Sequence, residues 1–171
     1  ESLEKQFTFN QIYLLFHQLS HPSDNIYNIG CAFELAGKIN FEVFSQACQM
    51  LITRHKILSM NISLKDETVF PVYSQDKSIP LEVIDAEQHA NESIKKILTQ
   101  QIMQKILESY DLTRDNLIKL ILFRINPEKN IFLVAAHHMV FDGTSMAIFM
   151  RELIHIYDRL ITNKTPTLAP L

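Results

Sequence analysis

The sequence predicts an α/β fold in which a sheet containing an antiparallel hairpin is packed with helices. Three observations lead there. Segments with apolar residues at helical spacing alternate with shorter runs of strand length. Two of those runs, Leu117 to Ile125 and Ile131 to Ala136, are separated only by Asn126-Pro127-Glu128-Lys129-Asn130, a turn-rich stretch that points to an antiparallel hairpin. A chain of 171 residues that is 47% hydrophobic can also bury a real core, as one compact unit over residues 1–171.

A first helix is predicted over Thr8 to Gln18, with Ile12, Leu15, Phe16 and Leu19 as its inward stripe, broken by His21, Pro22, Ser23 and Asp24. Asn28 to Leu35 reads as a strand. Gly37 to Asn40 turns into a second helix, with Asn40 as N-cap and Val43, Phe44, Ala47, Met50 and Leu51 buried. Two short strands, Ser59 to Leu64 and Thr68 to Tyr73, flank a hairpin turn at Lys65, Asp66 and Glu67. Asp85 and Gln88 have the spacing of a capping box for a long helix reaching Leu107, striped by Ile94, Leu98, Ile102 and Ile106. Phe132 to Ala135 shows no polar alternation, so this strand should be central and covered on both faces. The last helix runs from Gly143 or Thr144 to Ile161, with Met146, Met150, Leu153, Tyr157 and Leu160 inward. Thr162 to Leu171, with Pro166 and Pro170, reads as a linker or exit strand.

Charge and composition exclude several classes of function. Sixteen basic and nineteen acidic residues are scattered to a net charge of −3, without the basic patch that attracts nucleic acid. No apolar run reaches the ~20 residues of a membrane span, and Glu1 to Phe9 lacks a signal-peptide pattern. Cys31 and Cys48 fit neither a redox pair nor a zinc doublet. They read as buried thiols in a reducing compartment, and the expected location is the cytoplasm.

The chemistry is expected between the covered strand and the last helix, in His137-His138-Met139-Val140-Phe141-Asp142-Gly143. Side chains alternate along a strand, so two adjacent imidazoles should face opposite ways and only one should enter a given cleft. A histidine there can accept or orient a proton, its unperturbed pKa being ~6.5. Asp142 is a partner for a cation, and Gly143 allows a tight turn into the helix. From these residues alone, a second reading stands beside the first: both histidines are satisfied core groups and Asp142 only caps the helix. His17, His21, His55, His89 and His155 show no metal-ligand grouping along the chain, and no metal is expected.

His137-His138-x-x-x-Asp142-Gly143, followed by Thr144-Ser145 and Glu152-Leu153, resembles the signature of the condensation domains of nonribosomal peptide synthetases. Thr8-Phe9-Asn10-Gln11 with Leu14 resembles that family's opening Ser-x-Ala-Gln motif. Tyr27-Asn28-Ile29, Leu35-x-Gly37-x-Ile39-Asn40 and Arg54-His55-x-x-Leu58 are similar to the stretch leading into its Arg-His-Glu-x-Leu-Arg motif, and Tyr110-Asp111-Leu112 resembles its Phe-Asp-Leu element. The likeness runs in order along nearly the whole chain. Lys56, Ser59 and Asn10 depart from the family's usual acidic, arginine and small apolar residues.

The resemblance implies an α/β, chloramphenicol acetyltransferase-like lobe, a mixed, mostly antiparallel sheet packed with helices. The family's domain pairs two such lobes around a tunnel, and this sequence is expected to span the first. It further implies amide-bond formation between a donor acyl or peptidyl thioester and an acceptor aminoacyl thioester. Both would be carried on 4'-phosphopantetheine of donor and acceptor peptidyl carrier proteins, with no bound cofactor. By the same resemblance His138 faces the tunnel beside the acceptor amine, either taking its proton or aiming it at the thioester carbonyl. His137 packs on the opposite face, and Asp142 is structural, paired with Arg54. An epimerization domain usually carries a tryptophan after the glycine, and this chain has none; a heterocyclization domain replaces both histidines. Two other readings are a freestanding acyltransferase, CoA- or carrier-dependent and active as an oligomer, and a non-catalytic lobe that docks carrier proteins.

Overall fold

In a computed structural model the structure describes residues 6–66, 68–74, 77–86 and 93–171. Helix α1 (Phe9–Ser20) opens the chain and is followed by strand β1 (Asn28–Ala36), helix α2 (Phe41–Arg54) and a 3-10 turn (Lys56–Ser59). Strands β2 (Met60–Lys65) and β3 (Thr68–Tyr73) form a separate antiparallel hairpin. Then come β4 (Leu81–Asp85), α3 (Ser93–Leu107), the long hairpin β5 (Ile118–Asn126) and β6 (Lys129–His137), and α4 (Gly143–Ile161). The main sheet has the order β1-β6-β5-β4; β1 and β5 run antiparallel to β6, and β4 runs parallel to β5. It is mixed and mostly antiparallel, as predicted. Among the described residues no helix is long and apolar enough to cross a membrane.

Strand β6 is central and covered on both faces. Phe132, Val134 and Ala136 face the main core with Phe44, Leu51, Phe149 and Leu153 of α2 and α4, while Leu133 and Ala135 face a smaller cluster with Ile121 and Phe123, packed by Leu98, Ile102 and Ile106 of α3. This is why the sequence there shows no alternation: a strand with helices on both sides has no polar face. Gly30 in β1 has a packing reason, since a Cβ there would lie 2.5 Å from Ile106 of α3. Asn40 caps α2 by accepting from Val43 N–H at 3.1 Å, as expected.

Several expectations need correction. In α1 only Leu15 of the predicted stripe is buried; Ile12, Phe16 and Leu19 face out, and Gln18 faces in. In α2, Met50 is exposed, and Cys48 and Ile52 take places in the core beside Phe44, Ala47 and Leu51. Strand β4 is an addition to the expected elements, because a short parallel strand is defined by its partner β5 and has no turn signal of its own. Asp85 ends that strand and pairs with Arg124. The expected capping box also needs Gln88, and the expected hairpin turn Glu67; both lie outside the described residues. Residues 162–171 form no regular element, yet they return to the body, where Leu168 packs on the main core and the Ala169 carbonyl accepts from Arg54.

Candidate active site

The turn from β6 into α4 is built from the inside outward. His137, the last residue of β6, is fully buried. Its Nδ1 accepts from Met139 N–H at 3.2 Å, so the ring proton resides on Nε2, which donates to Gln18 Oε1 at 3.2 Å. Tyr27 and Tyr110 stand edge-on to the ring, with centroids 6.4 and 6.0 Å away. Burial, reinforced by the neighbouring His138, pushes the His137 pKa down to about 4. This imidazole is therefore a neutral structural group that locks the turn.

His138 is the reverse case. It lies one residue past the strand, is exposed, and lines an open cleft of about 540 Å³ together with Thr8, Gln11, Tyr13, Tyr27, Asp142 and Ser145. The two histidines thus divide as expected, one into the interior and one into the cleft. The backbone under His138 is fixed from two sides: its N–H donates to the Tyr27 carbonyl at 2.8 Å, and His137 N–H donates to the Leu117 carbonyl at 2.9 Å.

Helix α1 holds the same turn with two glutamines on one face. Gln11 Nε2 donates to the Met139 carbonyl at 3.1 Å, and Gln11 also completes a capping box with Thr8 at the start of the helix. Gln18 Nε2 donates to the carbonyls of Pro22 and Asp24, each at 3.2 Å, while its oxygen takes the His137 proton. Neither role is among those expected from the sequence. The available signal is their seven-residue separation, two helical turns, which puts both on one face.

Asp142 does not pair with Arg54. Its carboxylate caps α4, accepting from Ser145 N–H and Ser145 Oγ–H, each at 2.7 Å. The Ser145 side-chain hydrogen bond first, then its backbone N–H, hold the Asp142 pKa below the usual carboxylate range. Arg54 instead meets Glu152 of α4, its Nε 3.2 Å from Oε2, and His55 Nε2 lies 2.7 Å from the same oxygen. The physical reason is position. Glu152 is buried in the face of α4 that meets α2, and a buried carboxylate needs donors there, whereas Asp142 is exposed and satisfied by the amides that every helix start leaves open. The signature contains Glu152, but the likeness by itself does not give it this partner.

Gly143 is the first residue of α4. Its backbone is not in the left-handed region, and a Cβ there would meet nothing within 4 Å, so this fold does not require a glycine at the turn.

Comparison with known proteins agrees along the whole chain. The family described as Condensation domain matches residues 4–171. A linear gramicidin synthase polypeptide of Brevibacillus parabrevis is 30% identical over 164 residues, 96% of this chain but 2% of that protein. The nonribosomal peptide synthetase penN of Penicillium thymicola is 28% identical over 159 residues, covering 93% of this chain and 6% of that one. Among solved structures, the starter condensation domain of rhizomide synthetase RzmA superposes with a TM-score of 0.89 at 18% identity, covering 98% of this chain and 40% of that one. The first condensation domain of the CDA synthetase gives 0.87 at 21%, covering 100% and 44%. At such identities these structures establish the fold. The chain spans less than half the length of either solved domain and a few per cent of the synthetases.

Proposed function

The chain belongs to the condensation-domain family, and from that premise we propose that it is the first lobe of a two-lobed acyltransferase domain. In this reading the domain joins the amine of an acceptor aminoacyl thioester to a donor acyl or peptidyl thioester in nonribosomal peptide synthesis. Both substrates arrive on 4'-phosphopantetheine arms of carrier proteins, and the domain holds no bound cofactor of its own. The amine nitrogen bonds to the thioester carbonyl carbon, the carbon–sulfur bond breaks, and the donor arm leaves as a thiol with the proton that the amine gives up.

The observation that carries the reading is the division of labour in the histidine pair. His138 opens onto the cleft, on a turn fixed from beneath by His137, Gln11, Gln18 and Tyr27. A rigidly held imidazole of that kind can take the amine proton or align the amine by a hydrogen bond, and alignment alone supplies a large part of a rate. Asp142 supports it by starting α4 beneath the cleft floor. Arg54 and His55 act at a distance, tying α2 to α4 through Glu152. The cleft is open on one side, and Phe9 and Tyr13 on its rim continue into an exposed apolar face of α1. Exposed apolar surface beside a cleft marks a contact or ligand-binding surface, which in this reading is the face toward the second lobe. The partners in this reading are the second lobe and the donor and acceptor carrier proteins. Cys31 and Cys48 are both free thiols, which fits a cytoplasmic setting.

The test supplies two loaded carrier proteins to the two-lobed protein and follows the dipeptidyl thioester by mass spectrometry. His138→Ala should lower turnover by about a hundredfold or more while leaving the melting temperature unchanged, because the side chain is exposed. Full turnover by His138→Ala would refute the assignment.

A further inference from the structure

The C-terminal end of α1 gathers three potential ligands that the extended sequence does not show as a group. His17 and His21 are one helical turn apart, their rings stacked with centroids 4.8 Å from each other. Asp24 follows in the loop, with Oδ2 3.7 Å from His17 Nε2. One ligand atom from each of the three lies within 4.8 Å of the others. We propose that His17, His21 and Asp24 bind a divalent transition ion of the zinc class, and that this ion clips the end of α1 to the loop supporting the histidine turn.

The donor set suits such an ion, since two imidazoles and a carboxylate are a common three-ligand shell that leaves a fourth position for water. Donors about 2.0–2.1 Å from a tetrahedral ion lie about 3.3 Å apart, so the His17–Asp24 spacing is close to that of a formed site. The remaining closure falls to His21, which is exposed and can turn. The protonation of His21 is already suitable. Its Nδ1 lies 3.3 Å from the His17 carbonyl, an atom that only accepts, so Nδ1 carries the proton and Nε2 keeps its lone pair. A backbone carbonyl fixing the far nitrogen is how metal-bound imidazoles are usually oriented. The His17 Nε2 that faces Asp24 is 3.7 Å from its carboxylate, too far for a hydrogen bond, so that nitrogen is open to an ion.

The consequence reaches the candidate active site through Gln18, the residue after His17. Gln18 binds the carbonyls of Pro22 and Asp24 with its nitrogen and the buried His137 with its oxygen. Tyr27 adds a second route, edge-on to His17 at 5.1 Å, with its carbonyl holding the His138 N–H. An ion that draws the 21–24 loop onto α1 would therefore stiffen the anchors of His137 and His138 together.

Zinc binding is measured by competition with a chromophoric chelator, with cobalt(II) absorption as a probe of coordination and thermal melts with and without zinc. One ion per chain should bind at micromolar concentration and raise the melting temperature. His21→Ala and Asp24→Asn should each weaken binding by about tenfold or more and remove the thermal shift. Neither side chain is buried, so both variants should melt like the wild type in chelator, which separates loss of the site from loss of the fold. Undiminished zinc affinity in both variants, or a wild type that binds neither metal at micromolar concentration, would overturn the proposal.

Discussion

Helices α1 and α4 flank the same histidine turn and both carry apolar residues at helical spacing, yet they present opposite sides to the body of the protein. Helix α4 lays Phe149, Leu153 and Ile156 into the main core, with each of these residues at most 2% exposed. Helix α1 turns Phe9, Ile12, Tyr13 and Phe16 outward and packs through Gln11, Leu15 and Gln18. The difference follows from what each helix covers. Beneath α4 lies the apolar face of β5 and β6, and burial of carbon is what stabilises that contact. Beneath α1 lie the carbonyls of the turn and the proton of a buried imidazole, which need hydrogen-bonding side chains. An amphipathic helix is thus oriented by its neighbour's chemistry, and its own apolar stripe is only one of the candidates.

The sharpest way to break that comparison is to truncate an aromatic ring on each helix. Phe149→Ala should cost about 3–5 kcal/mol in denaturant unfolding, because it opens a cavity beside Phe141 in a closed core. Phe16→Ala, at a site 77% exposed, should change stability by less than about 0.5 kcal/mol. Comparable losses at the two positions would mean that the outward face of α1 is covered within this chain.

A second expected effect, somewhat smaller, concerns the buried imidazole that α1 supports. An unfolded chain binds a proton at His137 below its ordinary pKa of 6.5, whereas the folded protein resists until about pH 4. The contribution is therefore fully present above pH 6.5, declines as pH falls through that window, and has gone below about 4. The loss should amount to about 3 kcal/mol by linkage. Unfolding midpoints measured from pH 7 to pH 4 should show this decline, and His137→Asn should flatten the part of it that belongs to the turn. An unchanged slope in that variant would place the acid sensitivity elsewhere.

The smallest effect distinguishes a cap from an ion pair at the start of α4. Asp142→Ala should cost about 1 kcal/mol, whereas Asp142→Asn should be nearly neutral, since asparagine caps as well as aspartate. A large loss in Asp142→Asn, with Glu152 intact, would restore the pairing with Arg54 that the resemblance implied. Thermal melts of both variants decide between the two.

Much of the fold was legible because its signals are local. The apolar run of β6, the hairpin break before it and the Asn40 cap each need only a few neighbouring residues to be read; the turn itself shrinks to Pro127 and Glu128, and α4 buries Phe149 and Ile156 beside Leu153 while the expected Met146, Met150, Tyr157 and Leu160 are half-buried at the margin of the core. The site was legible to the same depth: adjacent histidines at a strand end had to diverge, and the structure buries His137 and exposes His138. What failed were the judgements that depended on a distant partner. The inward face of α1, the existence of β4, and the choice of Glu152 over Asp142 for Arg54 all rest on contacts far apart in sequence. The grouping of His17, His21 and Asp24 is not legible in the sequence for a related reason, since the loop after α1 must fold back before Asp24 meets the two rings.

The sequence by itself determined where most helices and strands fall, that the strand before the histidine pair would be central and covered on both faces, and that the two histidines would diverge where β6 hands over to α4. Propensity, periodicity and capping act within a turn or two of chain, so they are written in order along it. Only the tertiary structure decided which polar groups satisfy one another: Gln18 with His137, Glu152 with Arg54 and His55, Asp142 with its own helix. The cost of burying a polar group without a partner is set by whatever the rest of the chain brings beside it, and that is fixed only once the core has closed.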